Sequence, residues 1–463
     1  DQWQDWFMLT NQVLRMWEKW GIPTKYKGKF EFAGHGFPGK QLDYLKYQGE
    51  MQKPILTEQT IERGAEIYNR VMIYDLLVDK NGAVVGAIGV HTREPKMVVF
   101  EAKAVILGTG GVARLWPAPT PTCDYNRAFP GTVTGDGRAM AYRAGAGLTN
   151  LELTGRHAGP KYYSRAGQAT WVGVLRERSG KPVGPFITKP EKVYGDITVE
   201  VHKGIFDEYL YSGKGPIYMD MNGISDEDYE YMIFWLRNEG NMGLLNHIRE
   251  EGINFKEVAV EFMTFEMAIA GGVEFNAKTE TGIKGLYAGG DEFSCAISFA
   301  ATTGWTAGAE AANHAKSITK PAAKPVSNID EKKDKLETIL KRQDGASWQE
   351  VNYTLNQLMQ DYCGLIRSEV LFEAGLDNVR RLQKKAENLL MASNPHELFH
   401  CLEVINLLQL GELTMTAAND RKETRGLHRR TDYTLTNPIL TDKRHVIRSV
   451  NGKPASDWVQ IQN

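Results

Sequence analysis

The sequence has little of three features that would each assign it to a class of protein. It contains four cysteines in 463 residues, and none of them forms a C-x-x-C pair. Lysine and arginine (55) nearly balance aspartate and glutamate (57), so the formal net charge is only -2. No run of about 18 apolar residues, the length that crosses a bilayer, occurs.

Each absence argues against a class of function. The scattered Cys123, Cys295, Cys363 and Cys401 argue against a disulfide framework and against a metal or iron–sulfur site within the chain. They indicate reduced thiols in a cytoplasmic protein. The balanced charge gives no sign of nucleic-acid binding or of a basic membrane surface. We therefore expect no nucleic-acid partner and no direct membrane insertion.

What is present is a β-rich segment that ends in a glycine turn. Residues 71–78 and 83–90 are apolar, and the Asn-Gly turn between them predicts a hairpin. Residues 97–100 predict a third strand. The short apolar run 104–107 is typical of a buried parallel strand, and Gly108-Thr109-Gly110-Gly111 follows it.

A second strand, further along the chain, ends in Ala288-Gly289-Gly290-Asp291. Glycines at the carboxyl end of a strand let the backbone approach a phosphate or a flat ring closely. The Asp291 carboxylate is suited to accept hydrogen bonds from sugar or ribityl hydroxyls. Either turn alone is equally typical of a structural strand–helix connection. No acidic residue stands at the spacing that a dinucleotide fingerprint requires after Gly110.

The order of these motifs along the chain resembles a known family. The strands and first turn precede Thr134-Gly135-Asp136-Gly137, a long insert, the second turn and a helical C-terminal part that includes 360–367 and 421–433. This order resembles the flavoprotein subunits of succinate dehydrogenase, fumarate reductase and adenylylsulfate reductase. Segments 17–23 and 53–89 are similar to the adenylylsulfate reductase α-type branch in particular.

The resemblance implies an α/β + α fold in three parts. A Rossmann-like FAD-binding domain is expected over 1–153 and 276–325, an α+β capping domain over 154–275, and a C-terminal helical domain over 326–463. The family begins with a strand, a G-x-G-x-x-G turn and a helix that hold the ADP half of FAD, and nothing here matches them. We therefore expect the FAD-binding domain to be incomplete at its N-terminus, without its first βαβ unit.

The resemblance also implies FAD as the cofactor and suggests which residues contact it. The main chain at the start of the hairpin is expected beside the adenine, and the glycine turns beside the phosphates and ribityl chain. The expected contacts are Val71, Met72, Gly108, Thr109, Gly110, Gly111, Thr134, Gly135, Asp136, Gly290 and Asp291. For Asp136, capping of the following helix is an alternative role.

The substrate site departs from the family pattern. Dicarboxylate-handling members carry a His-Pro-Thr-Gly motif, a histidine before a Gly-Gly pair, and an arginine after the second turn. Here Met267 precedes the Gly-Gly pair, and 293–303 contain no arginine, lysine or histidine. A basic cluster near the first motif provides the candidate catalytic residues: Arg156, His157, Lys161 and Arg165.

Such a cluster beside the flavin ring would stabilise the anionic reduced flavin and hold an anionic substrate. A solvated or structural basic cluster is the alternative. For Glu423, Arg425 and His428, a buried ion-pair network in the helical part is the favoured interpretation.

The sequence therefore predicts an FAD-dependent oxidoreductase subunit that acts on a small anionic substrate in the manner of adenylylsulfate reductase. A ferredoxin-like iron–sulfur subunit is the expected electron partner. The first alternative is a flavoprotein of the fumarate reductase or succinate dehydrogenase type, which the missing arginine and histidine argue against. The second alternative is a degenerate flavoprotein that serves as an electron relay or scaffold in a larger complex.

Overall fold

The fold is known from a computed structural model, which describes residues 2–33, 44–118, 129–161, 170–184, 187–194, 205–293, 296–319, 325 and 329–461. Within these ranges the chain forms eleven α-helices and fifteen strands. The helices are α1 (Gln2–Trp20), α2 (Gln52–Glu62), α3 (Asp136–Arg143), α4 (Ile205–Ser212), α5 (Asp226–Asn238), α6 (Met242–Glu250), α7 (Ile297–Ser317), α8 (Ile329–Lys341), α9 (Trp348–Cys363), α10 (Glu369–Leu389) and α11 (Pro395–Asp420).

The strands are distributed over five sheets. They are β1 (Glu31–Ala33), β2 (Tyr44–Lys46), β3 (Val71–Val78), β4 (Val84–His91), β5 (Met97–Glu101), β6 (Val105–Leu107), β7 (Leu148–Thr149), β8 (Thr154–Pro160), β9 (Val174–Glu177), β10 (Ile217–Asp220), β11 (Val260–Ile269), β12 (Gly272–Val273), β13 (Leu286–Ala288), β14 (Lys443–Val450) and β15 (Lys453–Gln460). The three-stranded antiparallel sheet β3-β4-β5 is the meander that the sequence predicted.

The parallel pair β6 and β13 directs both glycine turns to the same side of the molecule. Leu107 lies opposite Ala288 at the carboxyl end of the pair, and the Gly289 N–H continues the pairing by donating to the Leu107 carbonyl (3.1 Å). The expectation that this run is buried was wrong in part, because the Ile106 side chain is 45% exposed. In the described residues β6 pairs only with β13, so its other edge has no described partner strand.

A separate core lies beneath the sheet of order β8-β11-β10-β9. Trp171, Trp235 and Phe255 are fully buried in it, together with apolar residues of α5 and α6. This core falls within the predicted capping domain. Tyr26 of the N-terminal segment also packs on it, in ring contact with Trp235. The N-terminal segment therefore bridges two of the predicted domains, whose boundaries remain a prediction.

The C-terminal helices share one continuous core with the glycine-turn region. Helix α11 packs against α9, α10, α3 and β14, and residues on every side of it are buried. A helix that is apolar all round is typical of the centre of a large domain. The α/β + α fold class is confirmed, with α11 at the junction of the α/β and helical parts.

The last strands form a hairpin that the sequence did not predict. Strands β14 and β15 extend the sheet in the order β12-β7-β14-β15, in which β14 pairs with β7, about 300 residues earlier in the sequence. The Thr149 hydroxyl and the Asn150 N–H both donate to the His445 carbonyl, at 2.7 and 3.1 Å. Within the described ranges, none of the helices combines the length and apolar character needed to cross a membrane.

Docking of this hairpin makes a testable contribution to stability. Ile447 is fully buried opposite Leu148, whereas Val450 of the same strand is 53% exposed. We expect Ile447→Ala to lower the free energy of unfolding by about 2–5 kcal/mol, because it leaves a cavity in the shared core. Val450→Ala, the matched control, should change it by less than about 0.5 kcal/mol. Denaturant unfolding followed by tryptophan fluorescence measures both, and equal stability of the two variants would contradict the docking.

Candidate functional site

The two glycine turns meet on an open surface. Gly108 and Thr109 are exposed, and Gly110 has a φ of +89°, which favours glycine. A Cβ added to Gly108 would meet no described atom within 4 Å. The backbone at the end of β6 is therefore exposed, and its contact with a cofactor stays a prediction.

A buried carboxylate that the sequence did not reveal joins the two turns. The Thr109 N–H and the Thr109 hydroxyl both donate to Glu292 Oε1, at 2.6 and 2.5 Å. The Gly137 N–H donates to the Thr109 hydroxyl oxygen at 3.0 Å. A Cβ on Gly137 would lie 2.3 Å from Thr109 Oγ1 and 2.6 Å from Glu292 Oε1, so only glycine fits there. Burial raises the pKa of Glu292 to about 7, against the lowering effects of Thr109 and Arg138.

Arg138 connects the second turn to the helix that follows the Thr-Gly-Asp-Gly motif. Its guanidinium donates to the Asp291 carbonyl at 2.6 Å and to the Ile269 carbonyl at 3.3 Å. The side chain is almost fully buried, at 1% exposure. Arg138 directly follows Gly137, and Glu292 directly follows Asp291. A charged residue next to a glycine motif is the sequence signal that could have identified both.

Asp291 is the carboxylate best placed to meet a ligand. Its side chain is half-buried, and burial raises its pKa while Arg138 lowers it. Among the residues that the structure describes, none donates a hydrogen bond to this carboxylate. The oxygens of this carboxylate are available to accept hydrogen bonds, and the contact of Asp291 with ligand hydroxyls stays a prediction.

Gly290 lies in a turn that Thr303 holds in place. Its φ of +64° is in the left-handed region, and its N–H donates to the Thr303 hydroxyl at 2.8 Å. Thr303 lies in the second turn of α7, which begins at Ile297. The Gly290 N–H is thus already bonded, and Thr303 is a supporting residue that the sequence did not single out.

The Thr-Gly-Asp-Gly motif faces the protein interior. Gly135 is the N-cap of α3, and Asp136 is the first helical residue rather than the cap. Asp136 accepts hydrogen bonds from the Thr134 hydroxyl (2.7 Å) and the Asn406 side-chain amide (2.6 Å). Burial raises the pKa of Asp136 to about 6. These contacts favour a role in fixing α3 to α11, and direct contact of Asp136 or Thr134 with the cofactor stays a prediction.

Val71 and Met72 lie at the start of β3, opposite His91 and Val90 of β4. Both are half-buried, and they belong to the antiparallel sheet rather than to the pair that carries the glycine turns. Their predicted place beside the adenine remains a prediction.

The predicted basic cluster is described only in part. Arg156 and His157 lie on β8, in register with Glu266 and Phe265 of β11. The side chains of these two residues, and the whole of Arg165, lie outside what the structure describes. Lys161 follows the strand and forms an ion pair with Glu261 (Nζ to Oε1 2.8 Å). The structure therefore places three of the four residues on or just beyond one strand, and their catalytic role stays a prediction.

A buried ion-pair network in the C-terminal part supports this strand. Glu423 accepts from Arg421 Nη1 and Arg425 Nε, both at 2.7 Å, and Arg421 Nε donates to Glu152 Oε1 at 2.6 Å. This confirms the interpretation of Glu423 and Arg425 as members of a structural network. Glu152 stands just before β8, so the network reaches the start of the strand that carries Arg156.

Arg367 and His428 extend the same network. Arg367 donates to the Glu152 carbonyl (2.9 Å) and to the Thr154 hydroxyl (3.1 Å), and its Nη1 lies 3.1 Å from His428 Nδ1. The other ring nitrogen of His428 lies 3.1 Å from the Arg421 carbonyl. Burial and the nearby arginines lower the pKa of His428 to about 3. The ring is therefore neutral, with Nδ1 accepting from Arg367 and Nε2 donating to the carbonyl.

Comparison with known proteins agrees with this arrangement. Residues 51–174 match the FAD binding domain family, and residues 352–454 match the fumarate reductase flavoprotein C-terminal family. The chain is 25% identical over 409 residues to one subunit of the fumarate reductase (CoM/CoB) of Methanothermobacter marburgensis, covering 83% of this chain and 70% of that protein. It is 23% identical, over an alignment of 493 positions, to the fumarate reductase flavoprotein subunit of Haemophilus influenzae. This alignment covers 96% of this chain and 79% of that one.

Solved structures show the same fold. Adenylylsulfate reductase from Archaeoglobus fulgidus superposes with a TM-score of 0.83 at 23% identity, covering 99% of this chain and 82% of that one. Quinol fumarate reductase from E. coli gives a TM-score of 0.83 at 19% identity, covering 99% and 83%. The fold is thus common to enzymes of both reaction types and does not by itself distinguish between them.

The link between the turns predicts an effect on cofactor retention. Thr109→Val removes the hydroxyl that joins Glu292 to the Gly137 N–H, leaving buried polar groups without partners. We expect FAD to bind roughly tenfold more weakly, because such a loss costs about 1–3 kcal/mol. Thr109→Ser should retain FAD like the wild type, and Thr338→Val, on exposed α8, is the control. FAD release followed by flavin fluorescence measures the effect, and unchanged retention in Thr109→Val would disprove it.

The low pKa of His428 predicts a pH-dependent stability. His428 takes up a proton near pH 6.5 in the unfolded chain, but only near pH 3 in the folded protein. The free energy of unfolding should therefore fall as pH drops below 6.5, by at most about 1.4 kcal/mol per pH unit. Relative to wild type, His428→Gln should lose this dependence, while the exposed His396→Gln should keep it. Unfolding curves at pH 5 and pH 8 would test it, and parallel behaviour of wild type and His428→Gln would reject it.

Proposed function

We propose a specific function from one premise, that this chain is an FAD-dependent oxidoreductase of the fumarate reductase and succinate dehydrogenase flavoprotein family. The proposal is a redox subunit that acts on a small anionic substrate in the manner of adenylylsulfate reductase. Its electrons are exchanged with a ferredoxin-like iron–sulfur subunit.

The described residues fit the cofactor. The open backbone at Gly108 and Thr109 would hold its phosphate and ribityl region, and the Asp291 carboxylate would accept from its hydroxyls. FAD supplies the electron-accepting and electron-donating chemistry when bound. Glu292 and Arg138 hold the two turns at a fixed separation, so the surface offered to the cofactor is already formed.

The observation that carries the substrate proposal is the short connection between the second turn and α7. The helix begins at Ile297, and the connection from Phe293 to Ala296 contains no cationic residue. A dicarboxylate needs a cation at each end, most effectively an arginine that binds in a bidentate manner. No cationic residue stands here at the position of that arginine in the family, which argues against a dicarboxylate substrate.

The basic residues of β8 are proposed to bind that anion. Arg156 and His157 lie on the strand, and the Arg367 contacts fix the start of the strand at Thr154. A cation beside the flavin ring would also stabilise negative charge on the reduced ring. Lys161, paired with Glu261, would sit at the rim of the site.

The electron partner is proposed from the cysteine pattern. The four cysteines are too scattered for ferredoxin spacing, so iron–sulfur clusters would belong to a second subunit. Such a partner also accounts for a flavoprotein that carries no recognisable nicotinamide motif.

Two alternatives have their own support. Several relatives by sequence are named fumarate reductase subunits, which favours a dicarboxylate enzyme. The short connection after Asp291 also suits an electron relay that binds no small substrate.

Anaerobic assays of the FAD-loaded protein distinguish these functions. We expect sulfite together with AMP to bleach the flavin absorbance and to reduce added ferricyanide. Bleaching by sulfite alone is not sufficient evidence, because a solved reductase of similar fold contains sulfite as a covalent adduct. The bleaching must therefore depend on AMP. Arg156→Gln should abolish this activity, because it removes the proposed anion contact, and the exposed Arg178→Gln should keep it.

Three other results would each contradict the proposal. Bleaching by succinate would indicate the dicarboxylate enzyme. Reduction by reduced ferredoxin, with no bleaching by any small donor, would indicate the relay. Purified protein without flavin absorbance would contradict the premise that the chain is an FAD-dependent oxidoreductase.

A further inference from the structure

A cluster of buried ionisable side chains lies behind the two glycine turns. Its members are Arg114, Asp136, Arg138, Glu292 and Glu403, each at most 3% exposed except Asp136, whose carboxyl group is nonetheless enclosed. They come from α3, α11, the second turn and the segment after β6. Asp136 acts electrostatically on Glu292, and Arg114 and Glu403 act on Asp136, so the groups form one coupled set.

The cluster contains more acids than permanent cations. Arg114 and Glu403 pair at 2.9 Å between Nη1 and Oε2. His400 closes the far end, with Nδ1 at 2.7 Å from the same Glu403 oxygen. Asp136 and Glu292 then remain, with Arg138 as the guanidinium nearest to Glu292. Guanidinium groups do not titrate near neutral pH, so the three carboxyls outnumber the two permanent cations, and a proton on one carboxyl balances the two sets.

Glu292 is the member best suited to hold that proton. Its side chain is fully buried, and its Oε2 has no hydrogen-bond partner among the described residues. Both Asp136 oxygens, in contrast, accept hydrogen bonds from Thr134 and Asn406. Burial raises the pKa of Glu292 to about 7, above that of Asp136.

The geometry lets the proton come and go without breaking the site. Both hydrogen bonds from Thr109 end on Oε1, so protonation of Oε2 leaves them in place. Glu292 can therefore change charge while the two turns keep their positions. Asp291, the adjacent acid, is only partly buried, and its main-chain carbonyl accepts a hydrogen bond from Arg138.

We propose that Glu292 takes up a proton from solvent when the flavin held by the adjoining turns is reduced, and releases it when the flavin is reoxidised. The electrons come from the substrate or an added reductant and go to the flavin, while the proton forms an O–H bond at Glu292 Oε2. Negative charge added nearby in a poorly solvated region favours the neutral form of a carboxyl. This inference rests on the proposed function only in requiring that FAD binds at these turns.

Redox titrations of the FAD-loaded protein at several pH values test the proposal. If reduction draws an additional proton per two electrons, the midpoint potential should fall with pH up to about twice as steeply as without it. We expect this steeper slope in the wild type around neutral pH and its loss in Glu292→Gln, which keeps the size and the acceptor of the side chain. Glu412→Gln, an α11 carboxyl outside the cluster, is the control and should behave like the wild type.

A second measurement needs no variant at Glu292. Reduced-minus-oxidised infrared spectra of the wild type should show a carboxylic-acid C=O band that shifts when the protein is labelled with ¹³C-glutamate. Equal potential slopes in wild type and Glu292→Gln, or no glutamate band, would overturn the proposal. If Asp136→Asn lost the steeper pH slope while Glu292→Gln kept it, the proton would belong to Asp136 and the assignment to Glu292 would be overturned. These failures would occur with FAD bound and reducible, whereas failure of the proposed function would appear as missing flavin or missing turnover.

Discussion

The contact between Glu292 and Thr109 is the constraint on which the rest of the site depends. It joins residues 183 positions apart and fixes two glycine turns that each, alone, would be an ordinary strand–helix connection. A carboxyl group without access to water is costly unless its hydrogen bonds are made. The main-chain and hydroxyl donors of Thr109, and the nearby Arg138, supply that compensation. The glycine at 137 is required because no other residue leaves room for the contact.

The C-terminal part of the chain supports this site from behind rather than forming a separate unit. Helix α11 contributes Asn406 to Asp136 and Glu403 to Arg114, so it contacts the helix and the segment that follow the first turn. The terminal hairpin extends a sheet with β7, and the Arg367 network holds the start of β8. The glycine turns and the start of β8 are thus both held by the C-terminal part, and the glycine-turn region shares its core with the C-terminal helices.

The electrostatics of the site divide into two regions with different roles. In the proposed function, Asp291 and the basic residues of β8 meet the cofactor and the substrate. On the buried side, three carboxyls and two guanidiniums set the charge behind the glycine turns. The sequence of the short connection after Asp291 adds no cationic residue. The proposal therefore assigns substrate binding and the charge behind the turns to different residues.

The sequence by itself determined the features that depend on local pattern. The β3-β4-β5 meander follows from alternating apolar runs and an Asn-Gly turn, and the glycine turns follow from the need for open backbone at strand ends. The family pattern then identified FAD. Only the tertiary structure decided that Glu292 meets Thr109, that Asp136 faces Asn406, and that β14 pairs with β7. These partners are distant in the chain, and a carboxylate or a short apolar run carries no local mark of the partner that packing brings to it.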